Sequence, residues 1–266
     1  MEEHHANYVI KPCGKIGSGG FGYVEKIELF NSAGHKCGDY ARKIFSPQSD
    51  LYRDEFKRRF EREVLYQTRC RHRNIAPIYI HNLNCDSPWF ILDLAESDLS
   101  KDLATGILNV KDKINIISMI LAGVRFMHEP KPYLQKYDIL YLHRDLKPSN
   151  VLKFSDGIYR ISDFGLVKNI AKDQAGKDAE SELLTKVAAA MGTEKYMAPE
   201  INAAGLYSVQ SDIFALGVLM DEFDLKDIPE IKEIVDKCTA WRPANRYQSL
   251  VEIISELNNL KKRNGL

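Results

Sequence analysis

The segment His143-Arg144-Asp145-Leu146-Lys147-Pro148-Ser149-Asn150, followed thirteen residues after Asn150 by Asp163-Phe164-Gly165, carries the residue types that phosphoryl transfer requires. Moving a phosphoryl group asks little covalent help of a protein. It asks for a carboxylate that orients the attacking hydroxyl and takes its proton, a cation near the group being moved, and oxygen ligands for magnesium. Asp145, Lys147, Asn150 and Asp163 supply that set. Each is an ordinary loop residue on its own, but the four together at this spacing are hard to reconcile with chance.

Two features nearer the N-terminus fit the same chemistry. In Gly17-Ser18-Gly19-Gly20-Phe21-Gly22-Tyr23-Val24, glycines at 17, 19 and 22 let the backbone approach a polyphosphate and aim N–H groups at it. Taken alone, the turn reads more readily as a plain loop. A similar spacing occurs in dinucleotide-binding motifs, but those open a helix. Here Val24-Glu25-Lys26-Ile27-Glu28-Leu29 favours a strand, so the glycines cap a hairpin. Nineteen residues after Val24 comes Lys43, in Tyr40-Ala41-Arg42-Lys43-Ile44-Phe45, where strand alternation puts Ala41 and Lys43 on one face. A lysine facing a protein interior needs an anion, because an unpaired buried ammonium costs on the order of several kcal/mol. Glu63, flanked by Phe60 and Val64, is the candidate; the plainer alternative is that both are solvated charges.

The elements that must position these groups change character along the chain. The first 95 residues read as short strands with one helix: apolar-periodic runs at Val24–Phe30 and Tyr40–Phe45 flank a turn-rich Asn31–Gly38, and Ile75–Ile80 and Trp89–Leu94 read as two more strands. Between them Phe56, Phe60 and Val64 recur every four residues, one apolar stripe on a charged helix. From residue 100 the pattern is helical. Ile114, Ile117, Leu121 and Val124 form a buried stripe, Ile213–Met220 is apolar on all sides, and Leu250, Ile253, Ile254, Leu257 and Leu260 share a face.

Composition narrows the classes. The chain has 266 residues, 44% apolar and 28% charged, with 37 basic against 37 acidic side chains. A zero net charge argues against a chain built to coat nucleic acid or an anionic membrane. The most apolar stretch, Ile114 to Met127, is broken by Asn115, Ser118 and Arg125, so no membrane segment is expected. Met1-Glu2-Glu3-His4-His5 has no apolar run behind it, so no signal peptide is expected either. Five cysteines, an odd number with no close pair, read as reduced thiols in a cytoplasmic protein.

Taken together, these motifs resemble the eukaryotic-type serine/threonine protein kinase family, over about residues 8 to 260. The resemblance implies an α+β, bilobal fold: a single domain over 1–266, with a small antiparallel sheet lobe carrying one helix (about 1–95) and a larger, mainly helical lobe (about 96–266). It makes Gly17–Val24 the cover of the phosphates of ATP, Lys43 the grip on the α- and β-phosphates, and Glu63 the partner of Lys43, with His72-Arg73-Asn74-Ile75 at the matching distance beyond. Asp145 becomes the catalytic base, Lys147 the γ-phosphate cation, and Asn150 and Asp163 the ligands of Mg2+, with Mn2+ as an alternative ion. Ile16, Val24 and Ala41 are implied above the adenine and Leu152 below it, Leu92 behind, with the Asp93 carbonyl and Ala95 amide at its edge; singly, each apolar one reads equally well as core. Gly17, Gly19 and Gly22 line the phosphates. Glu200 is implied to pair with Arg246, and Asp212 to hold the catalytic-loop backbone. Protein substrates are implied as partners, with the loop after Asp163 as a site of autophosphorylation. Lys147 and Thr193 are similar to the serine/threonine branch, and Pro243–Ser249 to bacterial members.

Retention of Lys43, Asp145, Asn150 and Asp163 argues against a catalytically dead relative, and Lys147-Pro148 with Ala198-Pro199-Glu200 against a small-molecule kinase. Three departures concern regulation and docking. An extra loop is marked by Pro130-Lys131-Pro132-Tyr133. The segment from Asp163 to Glu200 is long, with Ala189 where many relatives carry a phosphate, leaving Ser181 and Thr185 as acceptors. The stretch between Met220 and Ile228 is too short for a projecting helix, and its Asp221, Glu222, Asp224 and Asp227 suggest an acidic edge favouring basic peptides.

Overall fold

Alternation in the N-terminal third becomes a six-stranded antiparallel sheet of β1 (Glu3–His5), β2 (Tyr8–Gly19), β3 (Gly22–Asn31), β4 (Lys36–Phe45), β5 (Ile78–Asn82) and β6 (Trp89–Asp93), in the order β1-β2-β3-β4-β6-β5. The structure is a computed structural model that describes residues 2–19, 21–47, 52–130, 139–171 and 194–265. In the sheet Lys43 lies between Val24 of β3 and Phe90 of β6, and Ala41 lies beside Leu92. Ala41, Phe45, Phe90 and Leu92 pack against Phe60 and Val64 of α1 (Arg53–Gln67). Ile27, Leu29, Ile44 and Ile91 alternate with them and form a separate cluster with Ile10 and Trp89. Period two thus sends Lys43 to the helix-covered face. The β2–β3 hairpin closes with Gly19 opposite Gly22, and a β-carbon at Gly22 would sit 2.0 Å from the Ile44 carbonyl oxygen. Only glycine fits there.

The larger lobe is built on α2 (Leu99–Thr105), α3 (Val110–His128), α4 (Pro199–Ala204), α5 (Val209–Asp221), α6 (Pro229–Cys238) and α7 (Leu250–Asn264). The α3 stripe is fully buried against Ile213, Leu216 and Leu219 of α5 and Ile253 and Leu257 of α7. Asn109 starts α3 with a reciprocal capping box to Asp112, which satisfies two of its otherwise open N–H groups. Short strands frame the catalytic segment: β7 (Ser97–Asp98), β9 (Val151–Lys153) and β10 (Tyr159–Ile161) form one sheet, and β8 (Ile139–Leu142) pairs with β11 (Lys168–Ala171). Residues 143–150 therefore leave the end of β8 and enter β9, and Asp163 follows β10.

One local reading changes. The strand expected from Ile75 begins at Ile78, because Ile75 bridges Ile161 and the Ala76 N–H donates to the Ile161 carbonyl (2.9 Å), while Pro77 has no N–H to continue a ladder. As its length predicts, the stretch after α5 holds no projecting helix before Pro229; buried Phe223 and Leu225 tie it down. The loop at 131–138 and the positions Ser181, Thr185, Ala189 and Thr193 lie outside the described residues. Among those described, no helix is long and apolar enough to cross a membrane.

Candidate active site

Between the sheet and the helical lobe lies a cavity of about 480 Å³. Its roof is Ile16, Gly17, Gly19, Gly22 and Val24 from the β2–β3 hairpin together with Ala41; its floor is Leu152; Leu92, Asp93 and Ala95 form its rear edge. Lys43, Glu63, Asn150 and Asp163 line its inner end. Every residue expected around a nucleotide therefore faces one space.

Lys43 Nζ meets both Glu63 oxygens, at 2.6 and 2.8 Å, and stands 4.0 Å from Asp163 Oδ1. The surface alternative for this pair falls away: Glu63 is 4% exposed. Burial lifts the Glu63 carboxyl to about 7, with Lys43 pulling down and the Asp163 charge adding to the lift. Burial works against the Lys43 ammonium, but Glu63 and Asp163 outweigh it and hold its pKa above the ordinary lysine value. The pair is thus ionic above neutrality. Burial alone would raise the Asp163 carboxyl too, yet Lys43, Arg59 and Lys147 hold it well below the usual carboxylate range.

Asp145 is buried at the head of the loop after β8. Lys147 Nζ approaches both its carboxylate oxygens at 3.1 Å, and Asn150 Nδ2 donates to its carbonyl (2.8 Å) and to Oδ2 (3.0 Å). His143 below is neutral, its pKa lowered by burial. Its Nδ1 accepts from the Asp145 N–H (3.3 Å), which leaves Nε2–H to donate to the Ser162 carbonyl (3.2 Å). Asp212, at the start of α5, accepts from the His143 N–H (2.8 Å), the Arg144 N–H (2.9 Å) and His128 Nε2 (2.8 Å). That grip holds Arg144 at φ 69°; Asp163 has φ 61°. Left-handed backbone at a non-glycine residue costs roughly 1–3 kcal/mol and persists only where its surroundings enforce it. Arg246 forks onto Glu200 at 2.7 and 2.8 Å and donates to three carbonyls, of Gln210, Ala240 and Trp241. This anchors the end of the segment that follows Asp163.

Asp98, Gln67 and Ser149 also line the cavity and were not singled out from the sequence. A signal existed for two of them. Gln67 follows Glu63 by one helical turn, and Asp98 caps α2 by accepting the Lys101 N–H at 3.2 Å. The acidic edge after α5 is less open than its charge pattern suggests: Glu222 accepts from Lys195 Nζ (2.6 Å) and from the Tyr196 hydroxyl.

A family model described as "Protein kinase domain" matches residues 10–237. The chain is 31% identical over 223 residues to the receptor-like serine/threonine-protein kinase SD1-8 of Arabidopsis thaliana, covering 78% of this chain and 22% of that protein. It is 31% identical over 216 residues to the cysteine-rich receptor-like protein kinase 6 of the same plant, covering 78% and 28%. With the serine/threonine-protein kinase PrkC of Bacillus subtilis the identity is 29% over 178 residues, covering 66% and 25%. The chain spans about a quarter of the length of these relatives.

Proposed function

The chain belongs to the protein kinase domain family, and from that premise we propose that it transfers the γ-phosphate of ATP to serine and threonine hydroxyls of protein substrates. The observation that carries this reading is the buried Asp145 carboxylate, hydrogen-bonded by Lys147 and Asn150 beside a cavity whose inner end holds the Lys43–Glu63 ion pair. An ATP seated with its base against Leu92, Asp93 and Ala95 directs its phosphates beneath the glycine turn and toward Lys43. Asp145 receives the proton of the attacking hydroxyl, and Lys147 offers its charge to the phosphoryl group in flight. Lys147 in this position favours a serine or threonine acceptor over tyrosine.

The donor set suits a hard divalent cation. Asn150 uses its amide nitrogen on Asp145, so its carbonyl oxygen is left for a metal, and the Asp163 carboxylate is held ionised. One carboxylate and one amide oxygen, completed by phosphates and water, is an arrangement magnesium takes. Asn150 and Asp163 would hold such an ion, and it would supply positive charge against that of the phosphates.

The same reading extends to regulation and place. Arg144 is stacked over Tyr207, 3.7 Å from the ring centre, and among the described residues its buried Nε and Nη1 have no hydrogen-bond partner. This supports a phosphate on the following loop, Ser181 or Thr185, as a switch that draws on this cation. The five cysteines are thiols, which supports a cytoplasmic setting.

The test is Asp145→Asn with radiolabelled ATP, magnesium and a generic basic protein, alongside nucleotide binding. Transfer should fall by roughly 10²–10⁴ with nucleotide affinity unchanged. More than about a tenth of the wild-type turnover in the variant would remove Asp145 from the base role.

A further inference from the structure

We propose that Arg59 is a positioning residue for phosphoryl transfer: it clamps the tip of the glycine turn to α1 through Phe21 while wedged against Gly165, so that the lid over the nucleotide and the Asp163-Phe164-Gly165 segment are set by one side chain. The inference rests on the reading that this cavity holds ATP.

Arg59 lies one helical turn before Glu63 on α1 and is 7% exposed. Its guanidinium stacks over the Phe21 ring, 4.4 Å from the centre. Phe56, from the preceding turn of α1, meets the same ring edge-on at 4.7 Å. The lid tip is thus held by α1 on two sides, and by one backbone bond from the Ser46 N–H to the Phe21 carbonyl (3.0 Å). The other end of the wedge is as close. A β-carbon at Gly165 would fall 2.8 Å from Arg59 Nε, 3.0 Å from its Cγ and 3.4 Å from Asp163 Oδ1. The arginine therefore fills a slot that only glycine leaves open, next to the metal-binding carboxylate.

Hydrogen bonding does not account for a guanidinium in this place. Among the described residues Arg59 Nη1 is buried with no partner, so the ring face and the Gly165 slot are what hold it. Its charge completes a neutral group with Lys43, Glu63 and Asp163, two cations against two carboxylates. Because Glu63 and Arg59 share α1, docking of that helix pairs Lys43 and seats the lid together. Arg59 itself does not line the cavity and acts through Phe21 and Gly165.

The test is a double-mutant cycle of Arg59→Met and Phe21→Leu, read by the affinity for a fluorescent ADP analogue and by KM and kcat for ATP. A desolvated cation–π contact corresponds to roughly 10- to 30-fold in an equilibrium constant. Each single variant should weaken nucleotide binding by roughly tenfold, and the double variant should be no weaker than the worse single within about twofold. Arg59→Lys, which keeps a cation over the ring, should recover most of the affinity. A merely structural role would lower kcat through lost folded enzyme and leave KM and the analogue's affinity where they are. Thermal midpoints check folding, and if Arg59→Met does not fold, Arg59→Gln, which also removes the cation from the ring, takes its place in the cycle with Phe21→Leu. Independent effects that multiply, or an Arg59→Met affinity equal to wild type, would overturn the proposal. The binding arm needs no phosphoryl transfer: a wild type that binds but transfers nothing defeats the kinase reading alone, whereas an active wild type with a multiplicative cycle defeats the clamp alone.

Discussion

Replacing Asp212 by asparagine keeps the shape of the side chain and removes its charge, and the consequence can be worked from its three bonds. The wild-type carboxylate accepts from the His143 and Arg144 backbone N–H groups and from His128 Nε2. An asparagine oxygen can replace the atom facing His143 and His128. Its NH2 then meets the Arg144 N–H, donor against donor. One charge-assisted bond is lost, at about 1.5–3 kcal/mol, and two fall from charged to neutral strength, at about 1 kcal/mol each. Removing a buried charge recovers part of this, so the net expectation is about 2–4 kcal/mol of destabilisation, or about 1 M in the urea midpoint. Activity should suffer more than stability, since the same bonds fix the backbone that carries Asp145, and a displacement of about 1 Å there can cost 10²-fold. Acid unfolding gives an independent readout. Burial pushes the Asp212 carboxyl up, but the hydrogen bonds from His128 and Arg144 outweigh it and hold its pKa below the ordinary value. Its stabilisation is therefore complete above about pH 3.9 and is lost as pH falls through the depressed folded value. The wild type should lose stability over that window more steeply than Asp212→Asn. Equal urea midpoints together with unchanged kcat/KM would refute the reasoning.

The remaining expectations follow from the other buried pairs. With Glu63 titrating near 7, its pairing with Lys43 forms as pH rises through that value, so kcat/KM for ATP should fall on the acid side; Glu63→Gln should be low and flat there. The Lys43→Met and Glu63→Gln effects on kcat/KM should be strongly non-additive, and a double variant equal to their product would mean that the two act independently. Glu200→Ala leaves the buried Arg246 guanidinium uncompensated and should lower unfolding free energy by about 3–5 kcal/mol; a loss under about 1 kcal/mol in denaturant titration would place this pair among surface ion pairs.

Much of the site is legible in the chain because its parts are local. Asp145, Lys147 and Asn150 fall within one loop, and a loop of fixed length between two strands keeps their spacing in space. Lys43 and Glu63 are farther apart, yet strand alternation and the Phe56, Phe60, Val64 stripe each name a buried face, and an inward lysine needs an anion. Period alone thus predicted which side each element turns inward. It does not say what a side chain meets there. Short strands such as Glu3–His5 and Ser97–Asp98 have too few residues to show a period and exist through pairing with neighbours. Glu222 belongs to a charge run that reads as a solvated face, and only the approach of Lys195 and Tyr196 engages it. Arg59 is one of many basic residues on a charged helix, and nothing in the pattern sets it apart. What singles it out is the arrival of Phe21 from the hairpin and Gly165 from beyond β10, contacts between segments far apart in the chain that only tertiary packing brings together.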